Sequence, residues 1–364
     1  MMDLGFLMVP FFTGLAAFSL AVFNNVEAVN IEAINVPGAV SGKSGYTADI
    51  VIKRLADRMH DIEQQALTRA DVKEVMVQDS GGSAAVLGEY FQLTPLLKVV
   101  QTSFGLIPFT LSGEIVQDKN GLVMILRGND NKTNHSTLIR ETAAAEDLSG
   151  LIDKIAYEAV RMVDPSLLAS YQFKKDFQTR DFTKTENIIH RALSLDDTRS
   201  HKWMYNLWGI VLYQQADSEG AIERFAKAIE LDPSFAAPMF NWGVVLARQG
   251  KHNEAIEKFK HVIDNWGRDD PADTIAAAYT EWGFSLALLG YTDKAITCFR
   301  KATEVSPTFS DVYTTWAEVL SANGHPDEAQ KMTAKAVALA PVEKVYTDNL
   351  VGRIQHLPAM AANH

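Results

Sequence analysis

The chain of 364 residues has few of the residues that form disulfide-linked or metal-bound cores. Its single cysteine, Cys298, cannot form an intrachain disulfide, and its place beside Phe299 in a predicted helix favours a small buried hydrophobe over a reactive thiol. Its nine histidines lack the short spacings of zinc ligands, and no His-Glu-x-x-His or Cys-x-x-Cys motif occurs. The sequence therefore predicts no metal site and no cofactor.

No block of lysine or arginine occurs either, and the 34 basic residues are interspersed among 45 acidic ones, for a net charge of −11. Because nucleic-acid binding requires a basic face, nucleic acid is not expected as a partner. The Gly-x-Ser-x-Gly elbow of serine hydrolases is absent, and the pair Asp196-Asp197 lies in a polar connection typical of a solvated turn. The sequence predicts no enzymatic activity.

What the sequence does contain is a repeat in its C-terminal half. Four tryptophans are spaced 34, 40 and 34 residues apart, and residues at fixed offsets recur with them. A period in the thirties is the signature of a stacked solenoid, and each unit reads as two helices on either side of a polar turn. The recurring positions are Trp208, Trp242, Trp282 and Trp316; Gly209, Gly243, Gly283 and Ala317; Ala221, Ala255, Ala295 and Ala329; and Phe225, Phe259, Phe299 and Thr333.

This pattern resembles the tetratricopeptide repeat, a helix–turn–helix unit of 34 residues, over residues 202–343. It departs from the family because tryptophan stands where leucine is more usual, and Tyr205, Met239, Tyr279 and Tyr313 replace the consensus tryptophan. The resemblance implies a mainly α fold, a solenoid in which four units form a right-handed superhelix. A degenerate repeat or cap is expected at residues 166–201, and a capping helix and tail at residues 344–364.

The N-terminal end carries a run of 20 uncharged residues, from residue 4 to residue 23, which is long enough to span a bilayer. A cleaved signal peptide is the alternative, but no Lys or Arg precedes the run. We therefore expect a transmembrane anchor at residues 1–25 and a single-pass membrane protein. Because basic residues are missing between the run and Lys43, the body is expected on the periplasmic or other extracytoplasmic side.

Residues 26–165 carry no repeat and read as a small α+β domain in the order strand, helix, helix, hairpin, helix. A strand is predicted at residues 29–36, a helix after Thr47, and a hairpin around Asn120-Gly121. Together with the membrane run and the repeats, this segment resembles membrane-anchored bacterial proteins, through Gly45-Tyr46-Thr47 and Ser112-Gly113-Glu114-Ile115-Val116. The resemblance implies an envelope protein and names no activity.

Residues 38–44 end in Gly-Lys-Ser, as a phosphate-binding P-loop does. Such a loop needs four residues between its glycines, whereas three separate Gly38 from Gly42, and Pro37, which would restore the spacing, has no N–H. The segment therefore indicates a flexible polar turn. A nucleotide hydrolase acting through residues 38–44 is kept as an alternative function.

The remaining candidate site is the face formed by the first helix of each repeat, which in this family lines a concave groove. Chaperone-binding members hold a C-terminal carboxylate there with Lys, Arg and Asn, and only Asn241 fits that pattern here. We therefore expect an apolar peptide or an amphipathic helix of another protein as the partner. The predicted groove residues are Asn206, Ile210, Tyr213, Phe240, Val244, Arg248, Thr280, Phe284 and Leu288.

These observations combine into one functional prediction. The protein is expected to be a non-enzymatic scaffold, anchored in a membrane by its N-terminal helix, that binds a partner segment in the groove to assemble a complex. The alternative is an accessory subunit of an envelope machine that exports polysaccharide or a pilus. The tryptophans are predicted to be packing residues, since each precedes the small residue at which its two helices meet.

Overall fold

The computed structural model describes residues 29–66, 109–131, 133–195, 198–265 and 272–339. These residues divide into two compact units, one that runs to Leu168 and one that begins at Ala169. The first unit combines helices with a sheet, and the described part of the second unit consists of helices and their connections.

The N-terminal unit is built on a four-stranded sheet in the order β1-β2-β3-β4, in which β1 runs parallel to β2 and the other pairs are antiparallel. Two long helices pack against each other, with α2 also on β1 and α3 also on β3 and β4. Its elements are β1 (Val29–Asn35), α1 (Gly38–Ser44), α2 (Ala48–Ala66), β2 (Phe109–Asp118), β3 (Gly121–Asp130), β4 (His135–Ala143) and α3 (Leu148–Val163).

The predicted hairpin is present between β2 and β3. Asp118 pairs with Gly121 across the turn, and the Asp118 carboxylate accepts hydrogen bonds from the N–H groups of Asn120 and Gly121 at 2.7 and 3.1 Å. Gly121 adopts a φ of 141°, and a Cβ there would come within 2.2 Å of the Ala143 carbonyl oxygen. Glycine is therefore required both by the backbone and by the neighbouring strand.

The segment that resembles a P-loop is a short helix, α1, and not the flexible turn that the sequence indicated. Pro37 precedes the first residue of α1 with a φ of −60°, and Gly45 follows its last residue in the left-handed region at 73°. The N–H groups of Val40 and Ser41 bond to the Pro37 carbonyl, so helix formation occupies backbone donors that a phosphate loop would direct at its ligand.

The C-terminal unit is a row of antiparallel helix pairs. Its elements are α4 (Pro165–Thr179, which begins in the first unit), α5 (Thr183–Leu193), a 3₁₀ turn (Thr198–Ser200), α6 (His201–Gln214), α7 (Ser218–Leu231), α8 (Ala236–Arg248), α9 (His252–Asp264), α10 (Ala272–Leu288), α11 (Thr292–Val305), α12 (Ser310–Ala322) and α13 (Pro326–Leu339). The four repeats predicted from the tryptophan spacing are thus α6–α7, α8–α9, α10–α11 and α12–α13. The predicted capping helix in residues 344–364 lies outside the described residues.

A glycine of the first helix and a phenylalanine of the second hold three of these pairs together. A Cβ added to Gly209, Gly243 or Gly283 would lie 2.5, 2.6 or 2.8 Å from the ring of the phenylalanine at the recurring position of the same repeat. Those rings, on Phe225, Phe259 and Phe299, are fully buried. The absence of a side chain on the first helix is therefore what admits the ring.

The fourth pair, α12–α13, lacks both the glycine and the phenylalanine. Ala317 replaces the glycine, and Thr333, an exposed residue, replaces the phenylalanine. Without a ring on α13, a methyl group on α12 meets no obstacle of that kind. The two departures from the repeat therefore belong together, as one substitution makes room for the other.

The pair α4–α5, in the region predicted as a degenerate repeat, has a different interior. Phe173 stands where the repeats have glycine, and it packs against Phe177 and Phe182 with ring centroids 5.8 and 5.5 Å away. Asp176 is buried and joins the helices, because its carboxylate accepts from Gln172 on α4 and from both the N–H and the hydroxyl of Thr185 on α5, at 2.7, 3.0 and 2.8 Å.

The single cysteine lies in the core of the third repeat. Cys298 on α11 is buried, and burial raises the pKa of its thiol to about 11. A thiol with so high a pKa stays protonated at neutral pH, so Cys298 packs as the small hydrophobic residue that the sequence indicates.

The predicted transmembrane helix requires correction. None of the helices formed by the described residues is long and apolar enough to cross a bilayer. The longest, α2, has 19 residues but carries charged residues such as Lys53 and Arg54 along it. The uncharged run at residues 4–23 lies outside the described residues. The observed fold is mainly helical with a small sheet. The absence of a membrane-spanning helix among the described residues contradicts the predicted transmembrane helix. It also contradicts the single-pass periplasmic placement that depended on that helix.

Candidate protein-binding face

The first helices of the repeats form a continuous row. α6 contacts α8, α8 contacts α10 and α10 contacts α12, whereas the second helices contact one another less. Closer packing along the first helices places them on the inner side of the array, where α-solenoids have their concave binding surface. The surface formed by α6, α8, α10 and α12 is the concave face of the array.

Most of the predicted groove residues are packed inside the array. Phe240 is fully buried, and the Thr280 hydroxyl donates to the Ala276 carbonyl of its own helix at 2.7 Å. Solvent reaches Tyr213 partly and Arg248 and Leu288 freely. The six buried members are Asn206, Ile210, Phe240, Val244, Thr280 and Phe284.

Two buried asparagines link the first and second repeats. Asn241 on α8 donates from its side-chain amide to the carbonyl oxygen of the Asn206 side chain on α6, at 2.9 Å. Asn241 is fully buried and Asn206 nearly so. This hydrogen bond therefore joins two buried amides of neighbouring helices, where an unpaired amide would be costly.

The exposed polar groups of the concave face meet at Tyr213. The Arg248 guanidinium on α8 and the Glu281 carboxylate on α10 both lie close enough to the Tyr213 phenol on α6 to influence its pKa. Burial is the main cause that raises the pKa of Tyr213, Arg248 opposes the rise and Glu281 adds to it. The phenol is therefore neutral at physiological pH, and three successive first helices contribute to one polar cluster.

The concave face also carries an exposed apolar side chain. Leu288, at the last residue of α10, is 41% exposed and occupies the same repeat position as Arg248 on α8. His252, the first residue of α9, lies near Arg248, and burial with the charge of Arg248 lowers its pKa. His252 is therefore neutral at pH 7, and Arg248 supplies the positive charge of this part of the face.

Two of the four repeated tryptophans, Trp208 and Trp242, lie under a cationic side chain from the second helix of the same repeat. Arg224 on α7 covers Trp208 at 4.0 Å from the ring centroid, and Lys258 on α9 covers Trp242 at 3.9 Å. Both rings are partly buried, so the contact shields them from water and adds a cation–π attraction. The prediction that tryptophan serves packing agrees with this geometry, although the cations over Trp208 and Trp242 were not foreseen.

Residues 276–309, which cover most of α10, all of α11 and the turn that follows, match the family model of the tetratricopeptide repeat. The chain carries tetratricopeptide repeats. Such repeats bind other proteins through the surface that their stacked helices form, so the array is a protein-interaction module. A search of the curated proteins finds no match.

Solved structures similar to this chain include other repeat proteins. A crystal structure of MamA is 22% identical, with a TM-score of 0.36, and the match covers 45% of this chain and 92% of that one. PilF of Pseudomonas aeruginosa is 15% identical with a TM-score of 0.41 over 51% and 79% of the chains. The Cut9–Hcn1 heterotetramer of the APC/C is 17% identical with a TM-score of 0.43 over 53% and 37%. At these values we draw no functional conclusion from the likenesses.

Proposed function

We propose that this protein is a scaffold whose concave face holds a segment of a partner protein, with Tyr213, Arg248 and Leu288 in contact with it. The observation that carries the proposal is the accessibility of these residues among nine predicted ones, on three neighbouring first helices. Leu288 offers apolar area, and the Tyr213–Arg248 pair offers hydrogen-bond donors beside it.

The buried members of the predicted set act indirectly under this proposal. Phe240 and Phe284 fill the space between helices and thereby hold the exposed residues in place. A charged residue at either position would be buried without a partner and would unfold the repeats. The role of the face in binding is therefore tested at Leu288 and not at the phenylalanines.

The test compares two leucines of similar exposure. Leu288 on the concave face is 41% exposed, and Leu231 at the end of α7, a second helix, is 46% exposed. Because both are at the surface, replacement by Asp changes the stability by no more than about 0.5 kcal/mol. In affinity purification of the full chain from its native cells, Leu288→Asp is expected to lose the partner that wild type and Leu231→Asp retain. Equal recovery by both variants would contradict the proposal.

A further inference from the structure

The sheet of the N-terminal unit has two edge strands, and they differ. β1 and β4 are the outer strands of the four. The pairing of β1 with β2 is irregular between Ile31 and Ala33, and Pro37 follows the strand. Irregular pairing and proline both hinder an edge strand from pairing with another chain. β4 pairs with β3 without interruption from His135 to Ala143 and contains neither proline nor lysine. In the sheet that the described residues form, β4 is therefore the edge suited to accept another strand.

β4 also exposes a large apolar side chain. Leu138, in the middle of the strand, is 58% exposed, more than any other large hydrophobic residue in the described part of this unit. On the same face of the strand, Ser136, Arg140 and Thr142 are exposed as well, whereas Ile139 on the other face is buried. An exposed leucine by itself is common on protein surfaces. On an edge strand it adds apolar contact to backbone groups that can pair with another strand.

The unit itself uses one end of this strand. The Lys154 side chain on α3 donates a hydrogen bond to the Thr142 carbonyl oxygen at 2.8 Å, and α3 packs against β4. A backbone acceptor near the C-terminal end of β4 is therefore already bonded within the chain. The stretch left for another strand runs from His135 to Glu141, and Leu138 is its central residue.

We propose that β4 pairs antiparallel with β4 of a second copy of this chain, with Leu138 of one copy opposite Leu138 of the other. The two sheets then form one continuous sheet across a two-fold axis, and the contact is closed because both copies use the same surface. Over the available stretch, such a pair forms about six to eight backbone hydrogen bonds. The inference concerns the N-terminal unit and does not depend on what the concave face binds.

The residues on either side of Leu138 favour a second copy as the partner. In antiparallel pairing about Leu138, His135 of one copy lies opposite Glu141 of the other, where the imidazole can donate a hydrogen bond to the carboxylate. Arg140 lies opposite Ser136. Pairing centred on Arg140 or on Glu141 would place identical charges opposite each other, which is unfavourable. The strand is therefore complementary to itself in this register.

Cysteine cross-linking tests the register. Leu138→Cys and Thr142→Cys introduce a thiol at exposed positions on the same face of β4 in the full chain. Opposite residues of an antiparallel pair have Cα atoms about 4.5–5.5 Å apart, which suits a disulfide. The two copies of position 142 lie on opposite sides of the axis, about 27 Å apart at about 3.4 Å per residue. Mild oxidation followed by non-reducing electrophoresis is expected to give a covalent dimer from Leu138→Cys alone.

Wild type is the control for the native thiol, because Cys298 is buried. Equal cross-linking at positions 138 and 142 would show contact without this register and would overturn the inference. The absence of a covalent dimer from Leu138→Cys would overturn it as well.

A matched pair of lysine variants tests the contact without cross-linking. Leu138→Lys on β4 and Leu231→Lys on α7 change the net charge equally at exposed leucines, so both variants should fold as wild type does. Sedimentation of wild type and of Leu231→Lys is expected to show a dimer. In Leu138→Lys the dissociation constant of the dimer should rise about tenfold or more, because the two lysines face each other.

A monomeric wild type, or the same dissociation constant in both lysine variants, would contradict the second-copy contact. Recovery of the native partner by Leu288→Asp is measured separately, so failure of this inference and failure of the proposed function are distinguishable.

Discussion

The pairs α8–α9 and α4–α5 bring two antiparallel helices together through different interiors. In α8–α9, Gly243 has no side chain, and the Phe259 ring therefore fits into the interface. In α4–α5, Phe173 stands at the corresponding position, and a buried carboxylate, Asp176, spans the helices by hydrogen bonds. The repeated interior depends on shape and the other on hydrogen bonding. The two interiors should also differ in energy, because a steric clash and a lost hydrogen bond lower the free energy of unfolding by different amounts.

The largest expected effect breaks the shape-dependent interior. In Gly243→Ala, the new Cβ would lie 2.6 and 3.0 Å from atoms of the Phe259 ring and 3.1 Å from Lys258 Cβ, so the helices must separate. We expect the free energy of unfolding, measured by urea denaturation, to fall by about 3 kcal/mol.

Two companions to Gly243→Ala separate shape from helix propensity. Ala317→Gly in the fourth repeat, where no ring opposes the position, is expected to cost only about 1 kcal/mol. Phe259→Leu added to Gly243→Ala should restore part of the loss, because the smaller side chain leaves room for the methyl group. A Gly243→Ala protein as stable as wild type would refute the steric account.

A smaller effect is expected in the hydrogen-bonded interior. Asp176→Ala leaves the amide of Gln172 and the N–H and hydroxyl of Thr185 without their acceptor in a buried position. We expect a loss of about 2 kcal/mol in urea denaturation. Asp264→Ala, at an exposed position on α9, serves as the control and should change stability by no more than about 0.5 kcal/mol.

Removing both partners sharpens the contrast between the interiors. Thr185→Ala gives α5 the small residue that the repeats have at this position, so the double variant Asp176→Ala/Thr185→Ala should lose less than the sum of the single variants. Strict additivity of the two losses would show that the hydrogen bonds between Asp176 and Thr185 do not couple the helices.

The smallest expected effect is on the ion pair between Lys202 and Asp232, whose contribution to stability depends on pH. The hydrogen bonds from Lys202 and Ser234 lower the pKa of Asp232 to about 2. A depressed pKa contributes stability above the unfolded value of about 4, and that stability is lost as the pH falls toward 2. Because the pair is partly hydrated, we expect about 1 kcal/mol between wild type and Asp232→Asn at pH 7, vanishing near pH 2. A difference that is independent of pH would refute the electrostatic origin.

The repeats could be predicted because the same interior residues recur along the chain. In three successive units a glycine of the first helix and a phenylalanine of the second helix stand at fixed spacing, which locates both helices. Asp176 gives no such signal, since an acidic residue is ordinarily at the surface and only the fold brings Thr185 opposite it. Strand β4 was also missed, because Ile139 is its one buried hydrophobic residue and its alternation is weak. Edge strands of this kind acquire their structure from the neighbouring strand, here β3.

The concave face was predictable in register but not in exposure. The repeat spacing places Phe240 and Leu288 on first helices alike, yet Phe240 is fully buried and Leu288 is 41% exposed. Burial depends on how closely α6, α8 and α10 approach one another, and spacing along the chain does not contain that distance. The same limit applies to Asn206 and Asn241, which pair with each other across two helices.

Site-specific photo-crosslinking tests the central claim, that a partner protein occupies the concave face, most directly. A photoreactive amino acid is placed at position 288 on α10 or at position 231 on α7 in the full chain, and the native cells are irradiated. The account predicts that position 288 yields a discrete covalent complex with one partner and that position 231 does not. Crosslinking to the same protein from position 231 alone, or from neither position while the partner still copurifies, would contradict it.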